Sequence, residues 1–316
     1  MAAELSILVP IYNAAKWLSA FVSSLACQRL GNSELLFLDD CSTDDSLQVL
    51  EKELVKNGLS SISRIICHHE NRGVSEARQT LLDAATGEYI IYADPDDGID
   101  AGMYAGLLAT ARANDADFVW EDFYDGNAGR RTQRFEQDAH RFIKELLRGR
   151  LHGATWNKLI RRSFIIEAGA RFLPGRVGLC EDLDFLCQVL LANPKMAYCD
   201  GCHYHYRVVS GSATHGLAED SFRSLLAVEA HLGEILPLGE FAADLEYWRK
   251  GNRLAAFLSA KVSNRFFYEY IGGVYNLSGL PTNILLKGLY WMAAKGLRPL
   301  ARLPYLLCAK KISMCD

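Results

Sequence analysis

The stretch L-S-I-L-V, from Leu5 to Val9, decides the fold class of this chain. It is a short apolar run with β-branched residues, which predicts a strand buried on both faces, as in a parallel sheet. Helical spacing follows over Ala14–Gln28, and the same strand–helix order repeats twice before a fourth strand at Tyr89–Ala93. Strands and helices that alternate with short connections predict βαβ units with right-handed crossovers.

The rest of the chain is less regular. Met103–Ala113 has helical spacing, Phe118–Phe123 predicts a strand, and the polar stretch Asp125–Arg134 predicts a loop. Farther on we predict helices near Ala139–Arg148 and Leu183–Leu191, a strand at Tyr198–Val209 and mainly helices beyond Asp220. We therefore expect a Rossmann-like, mainly parallel sheet flanked by helices over residues 1–215, in halves 1–100 and 101–215, and a mainly helical region over 216–316.

The bulk composition is that of a globular protein. The 316 residues carry a formal net charge of −4 and are 50% hydrophobic, which suits one large α/β domain with an appendix, or two domains. The mildly acidic charge gives no reason to expect nucleic-acid binding. Cys199, Cys202, His203 and His205 have a zinc-like spacing, but adjacent strand residues point to opposite faces, so reduced thiols are the favoured interpretation.

The sequence predicts a cytoplasmic protein. Met1–Glu4 carries an acid instead of the basic start of a signal peptide, and the apolar run after it stops at Pro10. No apolar stretch reaches the length of about 18 residues that a transmembrane helix needs.

Two acidic clusters follow predicted strands. Asp39 and Asp40 come after the second strand, and Asp94, Asp96 and Asp97 come after the fourth. Ligands of open parallel sheets bind at the carboxyl ends of the strands, so the two clusters would share one crevice. A capped turn or an acidic loop explains each cluster alone, but crowded carboxylates are costly without a partner, and hard oxygens suit Mg²⁺ or Mn²⁺.

A metal in this crevice would bind the phosphates of a nucleotide. Tyr12 offers an aromatic face, Asp40 offers acceptors for a pyrimidine N–H, and Arg78 offers a guanidinium for phosphate. A surface salt bridge from Arg78 to Glu76 or another acid is the plainer alternative. Neither G-x-x-x-x-G-K-[ST] nor G-x-G-x-x-G occurs, which disfavours a P-loop ATPase and a dinucleotide-binding enzyme.

Four motifs in order resemble those of the family 2 glycosyltransferases with a GT-A fold. They are S-I-L-V-P-I-Y-N from Ser6, L-D-D-C-S-T-D-D-S from Leu38, N-R-G-V-S-E-A-R from Asn71 and T-G-E-Y-I-I-Y-A-D-P-D-D from Thr86. The likeness continues less tightly through W-N-K-L-I-R-R-S-F-I from Trp156, E-D-L-D-F from Glu181 and H-Y-H-Y-R from His203. Cys41 stands where the family commonly has Gly.

The resemblance implies an enzyme of bacterial surface-polysaccharide synthesis. It would transfer a hexosyl or N-acetylhexosaminyl group, with inversion, from a nucleotide sugar, usually a UDP-sugar, to a hydroxyl of a glycan or lipid-linked acceptor. By position, the resemblance implies that Pro10, Tyr12 and Asp40 bind uridine and that Arg78 binds the donor. It implies that Asp94 and Asp96 are the D-x-D pair, with Asp96 as ligand of Mn²⁺ or Mg²⁺. It also implies that Asp182, beside Glu181, is the catalytic base.

The acceptor side would lie in the half 101–215. A base must take the proton of the attacking hydroxyl, and Asp182 is the candidate. Alternatively, Glu181 and Asp182 only begin a helix, where acids favour the dipole. Trp156, Asn157 and Lys158 would shape the acceptor side, with an aromatic face on the apolar face of a sugar ring and an amide on its hydroxyls, and Glu181 would lie on the same side. The alternative is that Trp156 is a buried anchor of the fold. His203, His205 and Arg207 would lie over the diphosphate, or form a polar edge strand.

The C-terminal stretch 284–311 is basic and amphipathic. From Ile271 no acid occurs until Asp316, and Lys and Arg alternate with Leu, Trp and Tyr. This pattern is typical of a helix in a membrane interface, and Pro299 and Pro304 break it into pieces too short to span. We predict peripheral attachment to the inner face of the cell membrane; a helix that covers the catalytic domain is the alternative.

Two other functions stay open from the sequence alone. A nucleotidyltransferase, which makes a nucleotide sugar, also pairs a parallel sheet with metal-binding acids, but the Gly-rich basic loop it usually has after the first strand is missing. A non-catalytic nucleotide-sugar-binding protein is disfavoured because Asp94, Asp96 and Asp182 are present.

Overall fold

The structure is a computed structural model, and it describes residues 3–126, 128–207, 217–259, 261–271 and 284–298. The chain divides into two compact units, which are Met1–Ser212 and Ala213–Asp316. The boundary predicted between residues 215 and 216 lies outside the described residues, so it stays a prediction. Residues 299–311 of the predicted tail also lie outside them.

One sheet runs through the first unit. Its strands are β1 (Leu5–Ile11), β2 (Ser33–Asp39), β3 (Ser63–Cys67), β4 (Tyr89–Tyr92), β5 (Gly98–Ile99), β6 (Phe118–Asp125), β7 (Gly129–Arg131), β8 (Lys158–Arg161) and β9 (Met196–Tyr206). They are arranged in the order β3-β2-β1-β4-β8-β6-β9-β5, with β7 beside β6. Strands β3, β2, β1 and β4 are mutually parallel, and so are β6 and β9, whereas β8 is antiparallel to both neighbours. The predicted α/β architecture is confirmed.

Helices connect these strands. They are α1 (Ala15–Ala26), α2 (Ser46–Lys56), α3 (Val74–Ala84), α4 (Met103–Asn114), α5 (Ala139–Leu147), α6 (Arg162–Ala168) and α7 (Glu181–Leu191). One prediction needs correction, because the loop predicted over Asp125–Arg134 contains β7. Gly129, at φ +75°, turns the chain back, and Arg130 Nε donates to Asp122 Oδ2 on β6 at 2.9 Å.

Strand β1 is buried at every position, which explains its nearly continuous apolar sequence. Its polar exception, Ser6, donates a hydrogen bond to Glu34 Oε1 at 2.5 Å. The parallel register pairs Ile11 with Asp39, so the two strands end side by side. Tyr12 and Asp40 therefore leave the sheet at the same edge.

The second unit is helical where it is described. It contains α8 (Glu219–Ile235), α9 (Leu238–Leu258), α10 (Asn264–Phe266), α11 (Ile284–Met292) and π-helical turns at Phe267–Ile271 and Ala293–Leu297. Arg298 is fully buried and donates to the carbonyl oxygens of Val262 at 2.9 Å and Ala256 at 3.0 Å. In the described parts of the chain, every helix is too short or too polar to cross a membrane.

Candidate active site

Asp40, the acid that follows β2, makes its hydrogen bonds inside the protein. Asp40 is 3% exposed, and its Oδ1 accepts from the backbone N–H of Arg72 at 2.9 Å and lies 2.6 Å from His68 Nδ1. Its Oδ2 accepts from the backbone N–H of Gly73 at 2.7 Å. Gly73 has φ +92°, a conformation that glycine adopts without a steric penalty. Asp40 thus fixes the loop that leads into α3.

The neighbouring loop after β1 leaves an aromatic ring exposed. Tyr12 is 50% exposed, whereas Pro10 is buried within β1. Asn13 holds the loop by accepting from the backbone N–H of Thr43 at 2.8 Å and donating from its own N–H to Ser42 Oγ at 3.0 Å. A flat ligand can stack on Tyr12, but uridine binding by these residues stays a prediction.

Arg78 joins carboxylates from separate parts of the chain. Its Nη1 donates to Glu181 Oε1 and, at 2.6 Å, to Asp182 Oδ1, both in the first turn of α7. Its Nη2 donates to Asp94 Oδ1, after β4, at 3.2 Å. Arg78 is 5% exposed, and its carbonyl oxygen accepts from Tyr92 Oη at 3.0 Å. The structure therefore brings four of the predicted site residues together.

The alternative of a surface salt bridge between Arg78 and Glu76 is wrong. Glu76 pairs instead with Arg72, one turn earlier on the exposed side, at 2.9 Å. The guanidinium of Arg78 is buried on the other side of α3, where Asp94, Glu181 and Asp182 are its partners.

The Arg78 cluster consists of Arg78, Asp94, Glu181 and Asp182. With three carboxyl groups and one guanidinium, it has more negative than positive charge. Burial lowers the pKa of Arg78, but Asp182, Asp94 and Glu181 outweigh this effect, so its pKa is raised. Burial raises the pKa values of Glu181 and Asp182; Arg78 opposes the rise and the charge of Asp94 adds to it. Three carboxylates share one guanidinium, so the site favours an additional cation.

The D-x-D loop is the loop after β4 that carries Asp94, Asp96 and Asp97. Asp97 is hydrogen-bonded inside the protein, whereas Asp94 and Asp96 are available to a ligand. Asp97 accepts from Tyr204 Oη at 2.7 Å and from the backbone N–H of Arg207 at 2.8 Å, and burial raises its pKa to about 8. Burial, followed by the charge of Asp94, also raises the pKa of Asp96. A divalent cation between Asp94 and Asp96 would relieve both effects.

The carboxylate oxygens of Asp94 and Asp96 are suitable ligands for Mg²⁺ or Mn²⁺. The described residues contain no group of three or more His, Cys, Asp or Glu side chains arranged to hold a metal. Mg²⁺ commonly binds through one or two carboxylates and takes its other ligands from phosphate and water. Asp94 and Asp96 are therefore the residues that would hold the ion.

Two residues predicted on the acceptor side are buried. Trp156 is 2% exposed and stacks on Tyr204, with ring centroids 4.2 Å apart and planes 6° apart. Asn157 is fully buried, and its Nδ2 donates to the carbonyl oxygen of Glu121 at 2.6 Å. The structure shows both as supports of the fold, and an acceptor contact through them stays a prediction.

A cavity of about 480 Å³ lies beside the D-x-D loop. It is lined by Ser24, Gly98, Ile99, Asp100, Tyr124, Gly126, His205, Tyr206 and Arg207. Tyr124 and His205 stack with centroids 4.9 Å apart, and His205 Nε2 lies 2.7 Å from Asp100 Oδ2. Its volume is in the range of small-molecule sites, about 300–1,000 Å³.

Comparison with known proteins decides the family. Residues 6–168 match the family model described as Glycosyl transferase family 2. The chain belongs to this family. It is 30% identical to EpsH of Bacillus subtilis over 256 residues, which cover 76% of this chain and 72% of EpsH.

Solved structures share the fold of this glycosyltransferase. Residues 1–349 of Staphylococcus aureus TarS, in complex with UDP-GlcNAc, align over 94% of this chain and 81% of that one, with TM-score 0.59 and 20% identity. Glucosyl-3-phosphoglycerate synthase of Mycobacterium tuberculosis, with Mn²⁺ and UDP, aligns over 73% and 80%, with TM-score 0.52 and 16% identity. The predicted GT-A fold is confirmed.

Sequence reasoning missed Thr155 and Tyr204. Thr155 donates from its backbone N–H to Asp182 Oδ2 and from its hydroxyl to Asp182 Oδ1, both at 3.3 Å. Tyr204 links the D-x-D loop to β9 through Asp97. Tyr204 lies within the H-Y-H-Y-R stretch, but the partners of the two residues are 27 and 107 residues away, so no local pattern showed which groups they bind.

Proposed function

We propose that this glycosyltransferase moves a hexosyl or N-acetylhexosaminyl group from a UDP-sugar, with inversion and with Mn²⁺ or Mg²⁺, to a hydroxyl of a glycan or lipid-linked acceptor. The observation that carries the proposal is the buried cluster in which Arg78 binds Asp94, Glu181 and Asp182. The named functions of relatives support it: TarS is a poly(ribitol-phosphate) β-N-acetylglucosaminyltransferase, 27% identical over 82% of this chain and 44% of TarS.

The uridine would bind at the ends of β1 and β2. Tyr12 presents an exposed ring on which a base can stack. The carboxylate of Asp40 has about four acceptor positions, of which Arg72, Gly73 and His68 use three. The remaining one can accept the ring N–H of uracil, so Asp40 would hold the base and the loop together.

The diphosphate would bind at Arg78. Among the described residues, none accepts a hydrogen bond from its buried Nε. A phosphate oxygen would satisfy this donor, and guanidinium suits phosphate geometry well. Asp94 and Asp96 would hold a divalent ion, which would stabilise the charge of the leaving diphosphate.

Asp182 would act as the base. It takes the proton of the acceptor hydroxyl while that oxygen attacks the anomeric carbon opposite the diphosphate, and this in-line displacement inverts the configuration. Burial raises its pKa and thereby its strength as a base, whereas Arg78 opposes the rise. Donor phosphates that compete for Arg78 would therefore strengthen Asp182 as a base in the donor complex.

Membrane contact through the tail 284–311 belongs to the same proposal. Trp291 and Leu297 are 57% and 44% exposed, and Lys295 is also exposed, so they are available to an interface. Arg298 is buried and takes no part. Deletion of residues 285–316 should release the protein from the inner face of the cell membrane, as checked by fractionation; unchanged membrane association contradicts the tail proposal.

UDP release from a panel of UDP-sugars tests the function. With Mn²⁺ and a saccharide acceptor we expect release from one donor, loss of release with EDTA, and recovery when Mn²⁺ is restored. A protein that releases no UDP from any UDP-sugar contradicts sugar transfer from UDP donors. Release that is indifferent to EDTA contradicts only the metal.

A further inference from the structure

We propose that Thr155 is a positioning residue that holds the carboxylate of Asp182 in place. The inference rests on the proposed function, in which Asp182 is the base. The backbone N–H of Thr155 donates to Asp182 Oδ2, and its hydroxyl donates to Oδ1, each at 3.3 Å. Arg78 binds Oδ1 from the other side at 2.6 Å. Asp182 is thus held by one charged and two neutral donors.

The turn that carries Thr155 is fixed by a buried lysine. Lys158 is 2% exposed, and its Nζ donates to the carbonyl oxygens of His152 at 2.9 Å and Ala154 at 2.6 Å and to Asn157 Oδ1 at 2.6 Å. These three bonds use every N–H of the ammonium group. The turn therefore presents Thr155, itself fully buried, in one orientation.

This anchoring matters because the other partner of Asp182 would change during the reaction. If the donor diphosphate engages Arg78, the guanidinium contact weakens, and Thr155 remains as the contact that keeps the carboxylate oriented. The ionisable groups that act on Asp182 are Arg78 on α3, Tyr92 on β4, Asp94 after β4, Lys158 on β8, and Cys180 and Glu181 at the start of α7. Thr155 is uncharged, so its effect differs from theirs.

Two variants of similar shape separate the hydroxyl from the packing. Thr155→Val replaces the hydroxyl with a methyl group, and Thr155→Ser keeps it. With the UDP-sugar that the wild type uses, we expect Thr155→Val to lower kcat about tenfold, which equals one hydrogen bond to a charged group, and to leave the donor KM within about twofold. Thr155→Ser should retain most of the wild-type kcat.

The pH profile gives a second readout that packing alone does not move. A donor to the charged carboxylate favours that form, so its loss raises the pKa of Asp182. Because the base acts when deprotonated, the acidic limb of kcat should move to higher pH in Thr155→Val and stay in place in Thr155→Ser. Should Thr155→Val unfold at the assay temperature, Thr155→Ala makes the same comparison.

The failures of this inference and of the proposed function are distinguishable. An active wild type with unchanged kcat and acidic limb in Thr155→Val overturns the positioning role alone. So does a Thr155→Ser variant that loses as much activity as Thr155→Val. A wild type that releases no UDP from any UDP-sugar overturns the proposed function and this inference together.

Discussion

Asp40 and the three carboxylates that Arg78 binds differ in the groups that neutralise them. Asp40 has backbone N–H groups of Arg72 and Gly73 on its two oxygens, so the fold itself stabilises its charge. Asp94, Glu181 and Asp182 share the guanidinium of Arg78, and the pKa values of Glu181 and Asp182 are raised mainly by burial. Neutral donors fix a loop, whereas a shared cation leaves negative charge for a ligand to balance.

This difference separates an acid that supports the fold from acids that are available for chemistry. A buried carboxylate that accepts hydrogen bonds from the backbone contributes to the stability of the protein, and its replacement lowers that stability. Carboxylates that repel each other cost stability, and they persist where chemistry needs them. Asp40 and Asp182 should therefore lose different amounts of stability when each is changed to Asn.

The largest effect is expected for Asp182→Asn. The amide cannot accept the proton of the acceptor hydroxyl, so transfer should fall by about 10²–10⁴-fold while donor binding persists. UDP release and donor titration by calorimetry measure the two quantities. Asp115→Asn, which changes a carboxylate 80% exposed, is the matched control and should behave as wild type. Unchanged turnover in Asp182→Asn removes Asp182 from the role of base.

Asp96→Asn should have the next largest effect. Loss of a carboxylate from the pair weakens metal binding, so the Mn²⁺ concentration needed for half-maximal activity should rise by about tenfold or more, the scale on which changes at metal sites act. Metal titration of UDP release measures this shift. An unchanged Mn²⁺ dependence shows that Asp96 is not a ligand.

Much of this site was predictable because its motifs are local. Strand ends and adjacent acids are visible in the sequence, so the sheet and the roles suggested for Asp94 and Asp96 followed from short patterns. Partners were not predictable in the same way: Glu76 lies two residues before Arg78, yet the burial of Arg78 directs it to carboxylates 16 to 104 residues away. Trp156 shows the same limit, because stacking on Tyr204 depends on tertiary packing.

Asp40→Asn should affect stability, and donor binding through the uracil contact, more than the chemical step. Its amide nitrogen cannot accept, so the N–H of Arg72 or Gly73 loses its partner, at a cost of about 1–3 kcal/mol. Urea unfolding should show this loss. Asp182→Asn also leaves a donor without its acceptor, but it removes like-charge repulsion from Asp94 and Glu181, so it should lose less stability than Asp40→Asn. If both variants lose equal stability, the distinction between the clusters is wrong.

The smallest effect concerns the backbone beside Asp40. Cys41 has φ +60°, in the left-handed region where a β-carbon is strained, and glycine removes that strain. Because glycine also loses more entropy on folding, Cys41→Gly should stabilise the protein by no more than about 1 kcal/mol. Cys67→Gly, the same change within β3, should destabilise it by about 0.5–1 kcal/mol because no strain is relieved there. Thermal melts of both variants check the signs: a lower melting temperature for Cys41→Gly means that the contact of its thiol with the carbonyl oxygen of His69, 3.7 Å away, outweighs the strain.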